Sequence, residues 1–119
     1  MEKDRRKELQ ENYKQLKTYM GVIQIKNEVN GKIFIASYPN LKNKWLNLKS
    51  QLEMGRFANL QLQKDWAEYG ETSFTYDVLE EQDTEDISDI RWEAKQLLKK
   101  WLDQLQPFEE KGYNKKPIE

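Results

Sequence analysis

The chain offers few groups that do chemistry near neutral pH. It contains no histidine and no cysteine, so the commonest neutral-pH proton carrier, thiolate nucleophiles and cysteine-based metal sites are all missing. A reaction would have to draw on carboxylates, tyrosine, lysine or serine. No glycine loop is built to cradle a phosphate, no serine stands in an elbow motif, and no zinc pattern is present. The residues best suited to a ligand are Lys32, Lys42, Lys44, Lys49 and Arg56, with Tyr38 and Trp45 among them. Cations of this kind contact phosphates, and aromatic faces stack on bases. A solvated helix face explains the lysines about as well, and Trp45 reads better as core. The acids Glu80, Glu81, Asp86 and Asp89 match no calcium-loop spacing and read as hydrated surface.

Short elements must position those groups. Leu9, Tyr13, Leu16 and Met20 recur at helical spacing among charged residues, which predicts an amphipathic N-terminal helix over residues 1–19. "GVIQIKN" sets Ile23 and Ile25 on one face and Val22 with Gln24 on the other, and "GKIFIAS" sets Phe34 opposite Ile33 and Ile35. The Asn-Gly turn in "NEVNG" between them predicts a β-hairpin. Leu41, Trp45, Leu48 and Leu52 then form a helical stripe with Asn40 as its expected cap, broken at Gly55. "ANLQLQKDWAEYG" reads as a second helix with Leu62, Trp66 and Tyr69 inward and Gly70 as its stop. "FTYDVLE" alternates as a third strand, "EEQDTEDISD" reads as a solvated loop, and a long helix is expected from about Ile87 to Gln106. Pro107 ends it, leaving "EKGYNKKPIE" as a tail.

Three strands cannot bury their own faces, so helices must cover them. The expected fold is therefore α+β: a small three-stranded antiparallel sheet covered by helices, with an extra N-terminal helix. At 119 residues the chain fits one domain, 1–119, with a core over 20–115. Four Trp, six Tyr and four Phe argue against low-complexity disorder. No apolar run approaches the roughly 20 residues of a membrane span, and "MEKDRRKELQ" lacks a signal-peptide apolar region, so a cytoplasmic protein with no membrane partner is expected. Residues 1–64 carry 13 Lys/Arg against 6 Asp/Glu, and residues 65–119 carry 7 against 15. Two opposite halves can neutralise each other within the fold or in self-association, and a basic half can meet phosphates.

The order of these elements and their words resemble the GIY-YIG nuclease superfamily. Gly21-Val22-Ile23 stands where the first triplet would, and Phe34-Ile35-Ala36 stands where the second would, with ten residues between them. Ser37, Asn40 and Leu41 follow as in the family, and Tyr113-Asn114 resembles its terminal Tyr-Asn. The resemblance implies phosphodiester cleavage assisted by tyrosines of the two triplets, an Arg on the first helix, a His or Tyr one turn later, and a Glu holding a divalent metal. Here those positions are Ile23, Phe34, Lys44, Leu48 and Leu98, and only the supporting Asn114 matches outright. Leu98, three residues before Trp101, offers no oxygen to a hard cation. Ile23, Phe34, Leu48 and Leu98 are expected to form one apolar lining, and the chain to keep the frame without the chemistry.

No catalytic residue and no metal or other cofactor are therefore expected. The function expected is a nucleic-acid-binding or interaction module of GIY-YIG type, meeting DNA or RNA weakly and in a salt-sensitive way through Lys32, Tyr38, Lys42, Lys44, Lys49 and Arg56. Two alternatives stand beside it. One is a metal-dependent endonuclease, using a cation such as magnesium, with a rearranged site built from Tyr38, Tyr113, Lys44 and the acids of the loop. The other is a protein-interaction or regulatory domain that uses the acidic loop and the N-terminal helix, docked within the chain or on a protein partner.

Overall fold

The structure is a computed structural model and describes residues 17–116. The elements run β1 (Tyr19–Asn27), β2 (Ile33–Tyr38), α1 (Lys44–Glu53), α2 (Leu60–Tyr69), β3 (Phe74–Asp83) and α3 (Ile90–Leu105). Both β2 and β3 pair antiparallel with β1, which is the central strand of a three-stranded sheet. The expected α+β architecture is the one observed. No helix among the described residues is long and apolar enough to cross a membrane.

Alternation along β1 sorts its side chains between two cores. Successive strand residues point to opposite faces, so Ile23 and Ile25 go to one side and Met20 and Val22 to the other; all four are fully buried. On the first side lie Leu48 and Leu52 of α1 with Leu62 and Trp66 of α2. On the second lie Ala94 and Leu97 of α3 with Ile35. Fully burying side chains of this size stabilises a fold by roughly 1.5–3 kcal/mol each, and the sheet is held from both faces.

Several expectations shift. Met20, read into the N-terminal helical stripe, is instead a strand residue sealed by α3. The strand also takes Tyr19, and residues 1–16 of the expected helix lie outside the described residues. Asn40 does not cap α1; its Oδ1 accepts from the Lys42 N–H at 3.0 Å, and the cap position is Asn43, with φ 54° and no side-chain hydrogen bond. In the hairpin turn Gly31 takes φ 77°, whereas Asn30 does not enter the positive-φ region.

Strand β3 runs to Asp83 rather than stopping near Glu80, because backbone pairing to Tyr19–Val22 holds acids that would otherwise be loop. A bulge makes this possible. Ile23 pairs with Val78 and Val22 with Glu80, leaving Leu79 over to pack with the α3 core. Helices α2 and α3 start as their cap chemistry dictates, Asn59 Oδ1 accepting from Leu62 N–H and Asp89 Oδ1 from Trp92 N–H, each at 3.0 Å. Gly70, at φ 83°, closes α2 as expected.

The C-terminal stretch is part of the domain. Gly112 bridges to Ile33 in parallel fashion, and Tyr113 N–H donates to the Ile33 carbonyl at 2.9 Å. The outer edge of β2 is thereby covered, as an unpaired strand edge tends to be in natural folds. The opposite charges of the two halves meet in part inside the molecule: Lys17 pairs with Asp83 at 3.4 Å, and Lys49 pairs with Glu71.

Candidate functional site

The strand pattern carries Ile23 and Phe34 to the same face of the sheet, with Phe34 opposite Ile25 on β1. Helix α1 lays Leu48 over that face, 3% exposed, and Ile23 is 0% exposed. Phe34 meets the edge of Phe57 with ring centroids 5.5 Å apart. Tyr38, Leu41, Trp45 and Tyr76 close the cluster from the side. Three of the positions expected to line one pocket are thus gathered in one apolar core.

Leu98 is not among them. It packs with Met20, Val22, Ile35, Ala94 and Leu97 on the other face, so the expected four-residue lining is divided by the sheet itself. The cause is that α3 covers the side of β1 that carries Val22, and strand alternation places Val22 and Ile23 back to back.

The divalent cation that a GIY-YIG resemblance implies does not fit these residues. Hard cations take oxygen ligands, and Leu98 supplies none. Among the described residues no group of three or more His, Cys, Asp or Glu is arranged to hold an ion. Glu80 reaches α3 but is already engaged, accepting from Trp101 Nε1 at 2.8 Å and Lys100 Nζ at 3.0 Å. Those hydrogen bonds hold its carboxyl below the usual range.

The candidate ligand-binding residues come together only in part. Lys44 Nζ sits over the Tyr38 ring, 4.4 Å from its centroid, and exposed Lys42 lies two residues away. Lys49 points elsewhere, since five residues turn a helix by about 140°, and it is spent on Glu71. Lys32, just before β2, is six residues back from Tyr38, about 20 Å of extended chain, with its ammonium 5.8 Å from the Tyr113 ring centroid. Arg56 is exposed beyond the end of α1. Trp45 stacks on Tyr76 at 5.0 Å and meets Trp66 in a T-shaped contact at 6.2 Å, so the ring serves packing.

Neither tyrosine considered for a rearranged site is poised to ionise. Burial, with a smaller contribution from Tyr76, raises the Tyr38 phenol. Burial and the Asp65 carboxylate push Tyr113 up to about 12. A phenol held protonated is a poor nucleophile near neutral pH; Tyr113 does donate to the Asp65 carboxylate, and that contact favours the neutral phenol.

Asn114 and Tyr113 fasten the fold. Asn114 Oδ1 accepts from Ile35 N–H at 2.9 Å, and its Nδ2 donates to the Ile35 carbonyl at 2.8 Å. A side-chain amide here imitates a neighbouring strand. Tyr113 Oη donates to Asp65 Oδ2 at 2.7 Å and accepts from Nδ2 of the fully buried Asn27 at 3.1 Å. Asn59 Nδ2 donates to the Tyr113 carbonyl at 2.7 Å. Asn27, Asn59 and Asp65 were not singled out from the sequence. Asn59 could have been found by its position before a helical run, but nothing local marks the other two. Phe34, Asn59, Leu60, Tyr113 and Asn114 also line a groove of ≈ 500 Å³.

Two outcomes follow. Asn114→Ala is expected to cost about 1–3 kcal/mol, the net worth of two hydrogen bonds, read from the urea midpoint. Because folding favours the neutral Tyr113 phenol, its stabilisation is present below about pH 10, the unfolded value, and is lost as pH rises through the folded value of about 12. Melting temperature should fall across that alkaline range, and Tyr113→Phe should flatten the fall.

Comparison with known proteins bears on this geometry. The catalytic domain of the homing endonuclease I-TevI, a GIY-YIG enzyme, matches at 26% identity with a TM-score of 0.67, over 82% of this chain and 99% of that chain. A mutant of the same catalytic domain matches at 26% identity with a TM-score of 0.66, over 81% of this chain and 92% of that chain. No protein-family model matches, and no curated protein matches by sequence. The fold is GIY-YIG-like, and the domain is nuclease-like in architecture.

Proposed function

We propose, from the premise of a GIY-YIG-like fold, that this domain binds nucleic acid through the β2–α1 connection and does not cleave it. The observation that carries the reading is the burial of Ile23 and Leu48, at 0% and 3% exposed, in the core beneath α1. Water, a phosphodiester and a proton carrier would have to meet there, and the space is filled by hydrocarbon. Leu98, on the other face, supplies no carboxylate to a metal. Lys42 and Lys44 remain where a phosphate can reach them, with Lys44 braced against Tyr38. The likeness to an endonuclease catalytic domain supports nucleic acid as the ligand class over an unrelated one.

Few cations are involved, so binding should be weak and steeply weakened by salt. The test is fluorescence anisotropy with labelled DNA and RNA, single- and double-stranded, at low and moderate salt, run beside a cleavage assay in magnesium and manganese. Binding at low salt without cleavage is expected. Lys44→Ala should weaken binding several-fold and reduce the slope of log K against log salt by about 0.9, one phosphate contact. No binding at low salt removes the nucleic-acid reading. Metal-dependent cutting that tracks the protein and disappears in Lys44→Ala replaces it with the rearranged endonuclease.

A further inference from the structure

The two edges of the sheet are finished differently. The C-terminal stretch covers β2, with Gly112 bridged to Ile33 and the Asn114 amide on Ile35. Strand β3, ten residues long, pairs with β1 on one side, and among the described residues no backbone group is hydrogen-bonded to its other side. Which groups point outward follows from the ladder. The Ser73 carbonyl accepts from Glu28 N–H at 2.8 Å, and Thr84 N–H donates to the Thr18 carbonyl at 3.0 Å, so Ser73 and Thr84 face β1. Antiparallel bonds alternate along a strand. The N–H and C=O of Tyr76 and Val78, and beyond the bulge those of Glu81 and Asp83, are thereby turned away from β1. A long bare edge is a template for a further strand, and natural folds seldom leave one open.

The side chains along this edge select what can pair with it. Strand β3 carries Asp77, Glu80, Glu81 and Asp83 and no basic residue. Glu80 is engaged by Lys100 and Trp101, and Asp83 by Lys17. Asp77 and Glu81 are exposed and form no ion pair among the described residues. Between them Val78 is 44% exposed. A second copy would set this row of acids against its own kind, and like charges across a strand pair destabilise it. An extended segment with lysine or arginine on either side of an apolar residue matches instead. Main-chain bonds supply the pairing in such an addition, and alternate side chains supply the selection.

We infer that the open edge of β3 accepts an extended basic peptide as a fourth strand, with its apolar residue beside Val78 and its cations on Asp77 and Glu81. The inference is independent of whether the domain binds nucleic acid, because this edge lies across the sheet from β2 and takes a ligand of the opposite charge. The probe is a fluorescently labelled peptide, Thr-Lys-Lys-Val-Lys-Val-Thr with blocked ends, titrated with the full chain and read by anisotropy. Laid antiparallel, its valines fall beside Val78 and Tyr76 and its lysines beside Asp77, Glu80 and Glu81. Binding at low salt, weakened at moderate salt, is expected. Methylating the two valine amide nitrogens should weaken it about tenfold or more, the loss of two hydrogen bonds. Val78→Pro, which removes an outward N–H from an edge strand, should do the same, and the methylated peptide carries the test if that variant fails to fold. Asp77→Lys combined with Glu81→Lys should transfer the preference to the same peptide with glutamates for lysines. No binding at low salt, equal binding of the methylated peptide, or equal binding of the glutamate peptide to the unsubstituted chain each overturn the inference. Sedimentation of the free chain as a dimer that Val78→Pro dissolves overturns it in favour of pairing with a second copy.

Discussion

Gly21→Ala is expected to cost about 3 kcal/mol or more, at or beyond the upper end of ordinary single substitutions, and to leave little folded protein at moderate urea. A Cβ at this position would lie 2.0 Å from the Glu80 carbonyl oxygen, 2.9 Å from Leu41 Cδ1 and 3.0 Å from Glu81 Cα. Two of those atoms are backbone and belong to the strand across the bulge, so the clash cannot be relieved by turning a side chain. The strands must part, and with them the pairing that holds Glu80 to Asp83 in β3. Gly55→Ala is the control. Gly55 takes φ 72° with nothing within 4 Å of its would-be Cβ, so only the positive-φ penalty of about 1 kcal/mol applies. Equal losses at the two sites would show that the close approach at Gly21 is not what matters. Glycine at this position thus has a backbone role that holds whether or not the domain does chemistry.

Tyr113→Ala is expected to cost about 3–5 kcal/mol, the range for removing a buried aromatic. The residue is 3% exposed, and the loss has two parts. The ring leaves a cavity in the core it shares with Ile25 and Leu62. Its hydroxyl leaves buried Asn27 Nδ2 without the partner it has at 3.1 Å and deprives Asp65 of a donor. Tyr113→Phe separates the parts, since it keeps the ring and removes the hydroxyl, and should cost about 1–3 kcal/mol, the penalty for unmet buried polar groups. Urea denaturation of the three proteins reads both values. A loss for Tyr113→Ala no larger than that for Tyr113→Phe would contradict the packing role.

These two residues also show how positions resembling a family motif can serve the architecture. Gly21 permits the close approach of β3 at Glu80 and Glu81, and Tyr113-Asn114 covers a strand edge and ties it to α2 through Asp65 and Asn59. In contrast, Ile23, Phe34 and Leu48 contribute only apolar surface to the same region. A frame of this kind imposes its own constraints on glycine, tyrosine and asparagine, even where the side chains that would do chemistry are hydrocarbon.

Much of the fold was legible because its signals are local. Period-two alternation set Ile23 against Val22 and Phe34 against Ile35, and the Leu41–Leu52 and Leu62–Trp66 spacings announced helices. Gly70 and Pro107 punctuated them by chemistry that needs no distant partner. What local signals could not reach were the facts that depend on where elements meet. The bulge at Leu79, the extension of β3 through Glu81 and Gln82, and the strand identity of Met20 all come from pairing between residues about 60 positions apart. The assignment of Leu98 to the face opposite Ile23 depends on which side of the sheet α3 packs, and its own amphipathic stripe is silent on that. Nor can an asparagine near the end of the chain reveal that its amide will complete the edge of β2. The sequence by itself determined which side chains share a face and which residue types stand at each position, because periodicity and residue type are properties of the chain. The tertiary structure alone decided which faces meet and which polar groups find partners, because hydrogen bonds and packing across long separations are settled only when the elements assemble.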